Sequence, residues 1–166
     1  QLKKKKMDLK KQYIDKLKNL IKQETTLQYD SIQDGYFEWE IDNWKKLKGT
    51  ENSPEFKLCG YKWALRLNKN ISKLSNTLNS FDVTLRNRNE KGQIIQSSCI
   101  ISLREKDSYY NFIAKDLINT SEDKYASFDK DSYRNAFKTM LKNDNIIITV
   151  FMRVYKNSEK EKKRKF

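Results

Sequence analysis

Cys59 and Cys99 are the only thiols in this 166-residue chain, and the sequence contains no histidine. Ser-His-Asp and Cys-His nucleophile systems and histidine metal sites are therefore excluded from the segment. The two cysteines show no metal-ligand spacing, and one pair is too few for a disulfide scaffold, so reduced thiols in a cytosolic or nuclear protein are expected. Carboxylate and lysine chemistry remains open, with 22 acidic and 35 basic side chains. Only four glycines are present, and they form no phosphate-cradling loop. These side chains read as binding groups, and neither an enzyme active site nor a cofactor is expected among them.

The net charge of +13 invites a nucleic-acid reading, but most of it sits at the ends. Residues 1–24 carry nine lysines against Asp8, Asp15 and Glu24, a net of +6, and residues 156–166 carry six basic residues against Glu159 and Glu161, a net of +4. That leaves +3 for residues 25–155. Such runs are usually solvated ends, and "KKRK" at 162–165 also fits a nuclear-import patch. No apolar run approaches the ~18 residues of a membrane span, and no secretory signal opens the chain. The chain opens on Gln1 rather than a methionine and reads as a piece of a longer polypeptide.

The elements that must position these groups follow from periodicity. Met7, Ile14 and Ile21 recur seven apart, with Tyr13, Leu17 and Leu20 beside them, which predicts an amphipathic helix over residues 2–24. Lys10 and Glu24 occupy other seam positions, so a coiled-coil end and a helix packed on its own domain both fit, and residues 7–21 are a candidate homo-oligomer seam. From Gly35 the period becomes two. Phe37, Trp39 and Ile41 share one face, and Glu38, Glu40 and Asp42 the other. Further strands are predicted at 55–58, 61–67, 81–86, 94–103 and 145–155, with turns at "GTENSP", Cys59-Gly60, "NKNISKLSNTLNS" and "RNEKGQ" between them. The last strand is apolar on both parities and should be central to its sheet. Tyr133, Ala136, Phe137, Met140 and Leu141 predict a helix over 130–142, capped by Asp129. The expected organisation is a basic helix or coiled-coil end at 1–29, a β domain at 30–156 and a basic tail at 157–166.

"F.W.I.NW..L" at 37–47, "SPEFKLCGYKWALRL" at 53–67, "FDVTLRN" at 81–87 and "KNDNIIITVFMRV" at 142–154 together resemble a MATH domain, the TRAF-like substrate-recognition module. The first two blocks, in this order and spacing, are the more specific. The resemblance covers residues 35–155. It implies a mainly β fold, an antiparallel sandwich of seven or eight strands that binds short extended peptides in a shallow groove.

Carried over by position, the groove would include Arg66, at the "LR" of the third strand, whose donors would orient a peptide; an exposed structural arginine is the plainer reading. Phe81 aligns with a groove aromatic but shares parity with Val83 and Leu85, which favours core. Ile100 lies on the opposite parity from Cys99, Ile101 and Leu103 and suits a groove wall. In "EKDSYYNFIAKDL", where the family commonly reads Lys-Asp-Trp-Gly-Tyr/Phe and then Phe-Ile, Lys106, Asp107, Phe112 and Ile113 match. One residue is missing and the Trp-Gly pair is replaced around Ser108, so Tyr109 and Tyr110 take the aromatic role. Asp107 either accepts hydrogen bonds from a ligand or is a surface turn residue.

The resemblance thus implies a non-catalytic adaptor that recognises short linear peptides of partner proteins, in a ubiquitin-pathway or signalling context. A strand-like ligand would gain main-chain hydrogen bonds at a sheet edge. The interface would be small, below about 1,200 Å², with affinity in roughly the micromolar range. The alternatives are nucleic-acid or acidic-surface binding through the lysine tails, and an oligomerisation domain with a degenerate groove.

Overall fold

The computed structural model describes residues 2–21, 31–118 and 121–156. Helix α1 (Leu2–Asn19) precedes nine strands: β1 (Ser31–Ile41), β2 (Thr50–Asn52), β3 (Phe56–Leu58), β4 (Tyr61–Ile71), β5 (Leu78–Asn87), β6 (Ser97–Glu105), β7 (Phe112–Ile118), β8 (Lys124–Asp129) and β9 (Ile146–Lys156). A short helix α2 (Arg134–Lys138) and a 3-10 turn (Met140–Lys142) lead into β9. The strands form two antiparallel sheets, β1-β9-β6-β7 and β2-β4-β5-β8, with β3 also paired to β4. The mainly β, two-sheet architecture is the expected one, with nine strands among the described residues rather than seven or eight.

Alternation decides which faces meet. In the second sheet Leu65 lies opposite Leu85 and Leu67 opposite Val83, all fully buried, while Asp82, Thr84 and Arg86 turn outward. The first sheet supplies Cys99, Ile101 and Leu103 from β6 and Ile148, Val150 and Met152 from β9 to the same core. Between β3 and β4, Cys59 (φ 55°) and Gly60 (φ 80°) both take the left-handed backbone that a two-residue hairpin requires. Leu58 and Tyr61 pair directly across that turn.

β6 from Ser97 to Arg104 and β9 from Ile146 to Val154 are buried on both faces. The second cover is α1, which lies on the outer face of the first sheet and buries Tyr13, Leu17 and Ile21 against Ile100 and Phe151. The molecule therefore has three layers, helix, sheet and sheet. Each fully buried apolar side chain of that stripe contributes roughly 1.5–3 kcal/mol.

Several expectations are corrected. Of the two readings of residues 7–21, the helix is found packed on its own domain: Tyr13, Leu17 and Ile21 are buried in the fold, and Met7 remains 71% exposed. Asp129 does not cap a helix over 130–142. It ends β8 and accepts from the Ser132 N–H at 2.8 Å, closing a turn, and the helix starts later, with Tyr133 at its N-cap. Thr139 N–H and hydroxyl both bond the Asn135 carbonyl, at 3.0 and 2.6 Å, and the chain then tightens into the 3-10 turn. Ile94 is exposed and precedes β6 rather than belonging to it. Strands β2, β7 and β8 are absent from the predicted set, and β2 occupies part of the stretch read as the turn "GTENSP". The tail at 157–166 and residues 22–30 lie outside the described residues.

Candidate functional site

The outer face of the first sheet is built in cross-strand rows. Tyr36, Phe151, Ile100 and Asp116 form one, Glu38, Thr149, Ser102 and Ala114 the next, and Glu40, Ile147, Arg104 and Phe112 the third. The middle row is polar, and α1 answers it with Tyr13. The Tyr13 hydroxyl donates to Ser102 Oγ at 2.7 Å and pairs with Thr149 Oγ1 at 2.8 Å. Burial pushes this phenol above its ordinary value, so it stays a donor wherever the fold persists. Its ring meets Phe112 edge-on at 5.1 Å and Tyr109 at 5.8 Å.

Arg104 anchors the corner beneath. It is 2% exposed, and its Nη2 lies 3.0 Å from Glu38 while Nη1 donates to the Glu105 and Lys106 carbonyls at 3.0 and 2.9 Å. The guanidinium sits 4.1 Å from the Tyr109 ring centre and 5.5 Å from that of Tyr13, which is favourable cation–π geometry. Burial pushes the Glu38 carboxyl up. Hydrogen bonds from Tyr36 and Arg104, with the charges of Arg104 and Lys10, outweigh burial and hold it below the ordinary carboxylate value. Two further ion pairs flank α1: Lys10 to Glu38 at 3.7 Å, and Lys18 to Asp34 at 3.8 Å beside the Arg153–Asp34 bridge at 2.8 Å. The partly exposed pairs contribute little singly, and they fix the helix's register more than its affinity.

Four of the seven expected site residues, Lys106, Asp107, Tyr109 and Tyr110, gather at the β6–β7 corner, and Ile100 lies midway along β6. Ile100 is not an open groove wall: it is 1% exposed because α1 covers it. Lys106 pairs with Glu40 at 2.7 Å, and Asp107 is exposed in the turn. Tyr109 is half-buried against Tyr13 and Arg104, whereas Tyr110 is 65% exposed with the Lys16 ammonium 5.8 Å from its ring. The other two belong to the second sheet. Arg66 donates from Nε to Asn52 at 3.0 Å on its outer surface. Phe81 is core, fully buried between Phe128 at 5.1 Å and Phe137 at 5.7 Å, and no ligand reaches it.

Sequence reasoning missed Arg104, Glu38 and Tyr13. Their signal was present: Ile100, Ser102 and Arg104 alternate along β6, and Tyr13 stands four residues before Leu17 on the helical stripe. It also missed the border strand β7, which among the described residues pairs on one side only, with β6. Ile118 on β7 is 38% exposed, and Tyr125 on the neighbouring edge strand β8 is 65% exposed.

The thiols supply no nucleophile. Burial, aided by Asp34, pushes Cys59 up to about 11, and burial pushes Cys99 up as well. Cys59 and Cys99 are 5% and 1% exposed. At neutral pH neither should react with Ellman's reagent in the native protein over minutes, and both should react once urea unfolds it. Rapid native labelling of either thiol would contradict this packing. No protein-family model and no curated protein matches this chain.

Proposed function

We propose that this chain is a non-catalytic protein-interaction domain that takes short linear segments of partner proteins, in the adaptor manner its resemblance to a MATH domain implies. The observation that carries this reading is the border at β7. A strand of seven residues, with pairing on one side only among the described residues, runs directly from the corner that presents Asp107 and Tyr110. An extended segment laid along it gains main-chain hydrogen bonds, and its alternate side chains meet the flanking aromatics. Because α1 fills the face over Ile100, the accessible surface is the border and corner rather than a broad groove. Lys115 points to the inward side of β7 and donates to the Ser127 carbonyl of β8 at 3.0 Å. An inward-pointing charge of this kind guards an edge against indiscriminate pairing and offers an acidic ligand group a cation. The ubiquitin-pathway or signalling setting rests on the resemblance alone.

A peptide selected by display against the full chain tests the reading. On titration, amide shifts should cluster at 106–118, and Tyr110→Ala should weaken binding about fivefold to tenfold. Shifts that leave 106–118 untouched would overturn it. Tyr110 is the better probe than Tyr109, whose truncation also disturbs Arg104 and Tyr13.

A further inference from the structure

A cavity of about 710 Å³ at the end of the sandwich where β1 stops is apolar below and basic around its mouth. Ile71, Leu78, Phe137 and Leu141 form the floor with the edge of Trp44. The turn after β1 contributes Lys45 and Lys48, and Lys69 comes from β4. The segment between β8 and β9 contributes Lys130, Arg134, Lys138 and Lys142. One acid, Asp131, is among the lining residues.

Two features mark this as more than an ordinary surface. Residues 31–156 hold 21 basic and 16 acidic side chains; removing the cleft's seven and one leaves 14 against 15, so the entire positive excess of the β body is concentrated here. In addition, the cations at 130, 134, 138 and 142 recur every four residues. Of these, Arg134 and Lys138 lie within α2, where like charges four apart repel, and an anion sitting among the cluster relieves that repulsion; Lys130 and Lys142 flank the helix in the adjoining turns. Lys69 is held in place before any ligand arrives. Its ammonium donates to the Trp44 carbonyl and lies 4.4 Å from the Trp44 ring centre.

The kind of anion follows from the rest of the mouth. Six of the seven cations are lysines, point charges suited to diffuse attraction rather than the forked recognition that arginine gives. At the tip of the β4–β5 hairpin, two residues before the cleft-lining Asn76, Leu74 stands fully exposed beside Lys73. An exposed aliphatic side chain next to a lysine, at the rim of a basic cleft, matches a membrane interface, where the charges meet anionic headgroups and the apolar group enters the acyl boundary. We propose that this end of the domain docks on an anionic phospholipid surface, the cleft taking a phosphate-bearing headgroup among its lysines while Leu74 inserts beside it. The site is separate from the β7 border and does not depend on the peptide reading.

Flotation of the full chain with vesicles tests it. Vesicles of phosphatidylcholine and phosphatidylserine in equal amounts should carry the protein, and phosphatidylcholine alone should not. Each cation near such a surface contributes roughly fivefold in affinity. The triple variant Lys45→Glu, Lys48→Glu, Lys138→Glu should therefore lose more than tenfold, while reversing Lys3, Lys4 and Lys5 on α1 should cost far less. Leu74→Ser should weaken binding severalfold without changing its salt dependence. Circular dichroism should show all three variants folded, since every substituted side chain is exposed. Loss of binding on reversing the α1 lysines but not the cleft lysines would overturn the proposal. Binding of inositol hexakisphosphate or an acidic peptide at the cleft without capture by the anionic vesicles would also overturn it, in favour of a soluble anionic ligand.

Discussion

Replacing Phe81 by alanine should lower the unfolding free energy by about 3–5 kcal/mol, the usual cost of removing a fully buried aromatic ring. Phe81 is fully buried. Trp44 meets it edge-on at 5.4 Å, and Phe128 and Phe137 stack on it at 5.1 and 5.7 Å. Those three neighbours come from the turn after β1, from β8 and from α2, so the ring ties three separate stretches of chain to β5. Collapse around the vacancy would require all three to move, which places the cost at the upper part of the range. Phe81→Leu keeps most of the volume and should cost less than about 1.5 kcal/mol. Urea denaturation reads both as shifts in midpoint at an unchanged slope. The experiment also separates core from groove. A Phe81→Ala protein of near-native stability that has lost peptide affinity would return Phe81 to a binding surface, against its position here.

That contrast shows how much the sequence carried. The parity Phe81 shares with Val83 and Leu85 places it in the core from sequence alone, and the alternation in β1 with the doubly apolar pattern of β9 locates the layers equally well. Strands β7 and β8 were illegible for a common reason. Both are edges, and edges carry charge on positions that alternation reserves for the core, as Lys115 does in β7. The short "KYASFD" of β8 buries only Ala126 and Phe128, too little apolar mass to signal a strand. The helix expected over 130–142 is shorter because a local turn at Asp129 competes with its start, and at its end the Thr139 hydroxyl back-bonds to the Asn135 carbonyl. At the candidate site both halves of the contact were visible, an unpartnered Ile100 and an apolar stripe at Tyr13, Leu17 and Ile21. Periodicity reports that a face is apolar, not which surface covers it. The same stripe serves a second copy or its own sheet equally well, and only the rows of Ser102 and Thr149 beneath the Tyr13 hydroxyl make the intramolecular match specific.

Truncating Tyr13 is accordingly the second large perturbation. Tyr13→Ala removes the ring contacts with Phe112 and Tyr109 and both buried hydrogen bonds, an expected loss of about 3–5 kcal/mol. Where that loss appears is more informative than its size. Helix α1 has 18 residues and buries only Tyr13 and Leu17 within its span, followed by Ile21. A lysine-rich helix of this length is marginal once it leaves its sheet, so release and melting should coincide. The variant should lose helical ellipticity and amide-exchange protection across α1 while the two sheets keep theirs, a local opening rather than global unfolding. Release would uncover Ile100 and Phe151, which a hydrophobic dye reports. Tyr13→Phe keeps the ring and should cost about 1 kcal/mol, because the Ser102 and Thr149 hydroxyls lose one shared partner. If exchange protection in β6 and β9 falls together with that of α1, the helix is an integral third layer of one cooperative unit and not a detachable cover. If α1 alone opens, a synthetic peptide of residues 2–21 added to Tyr13→Ala should restore protection at Ile100 and quench the dye, since the face that selects Tyr13, Leu17 and Ile21 in cis presents the same contacts to them in trans.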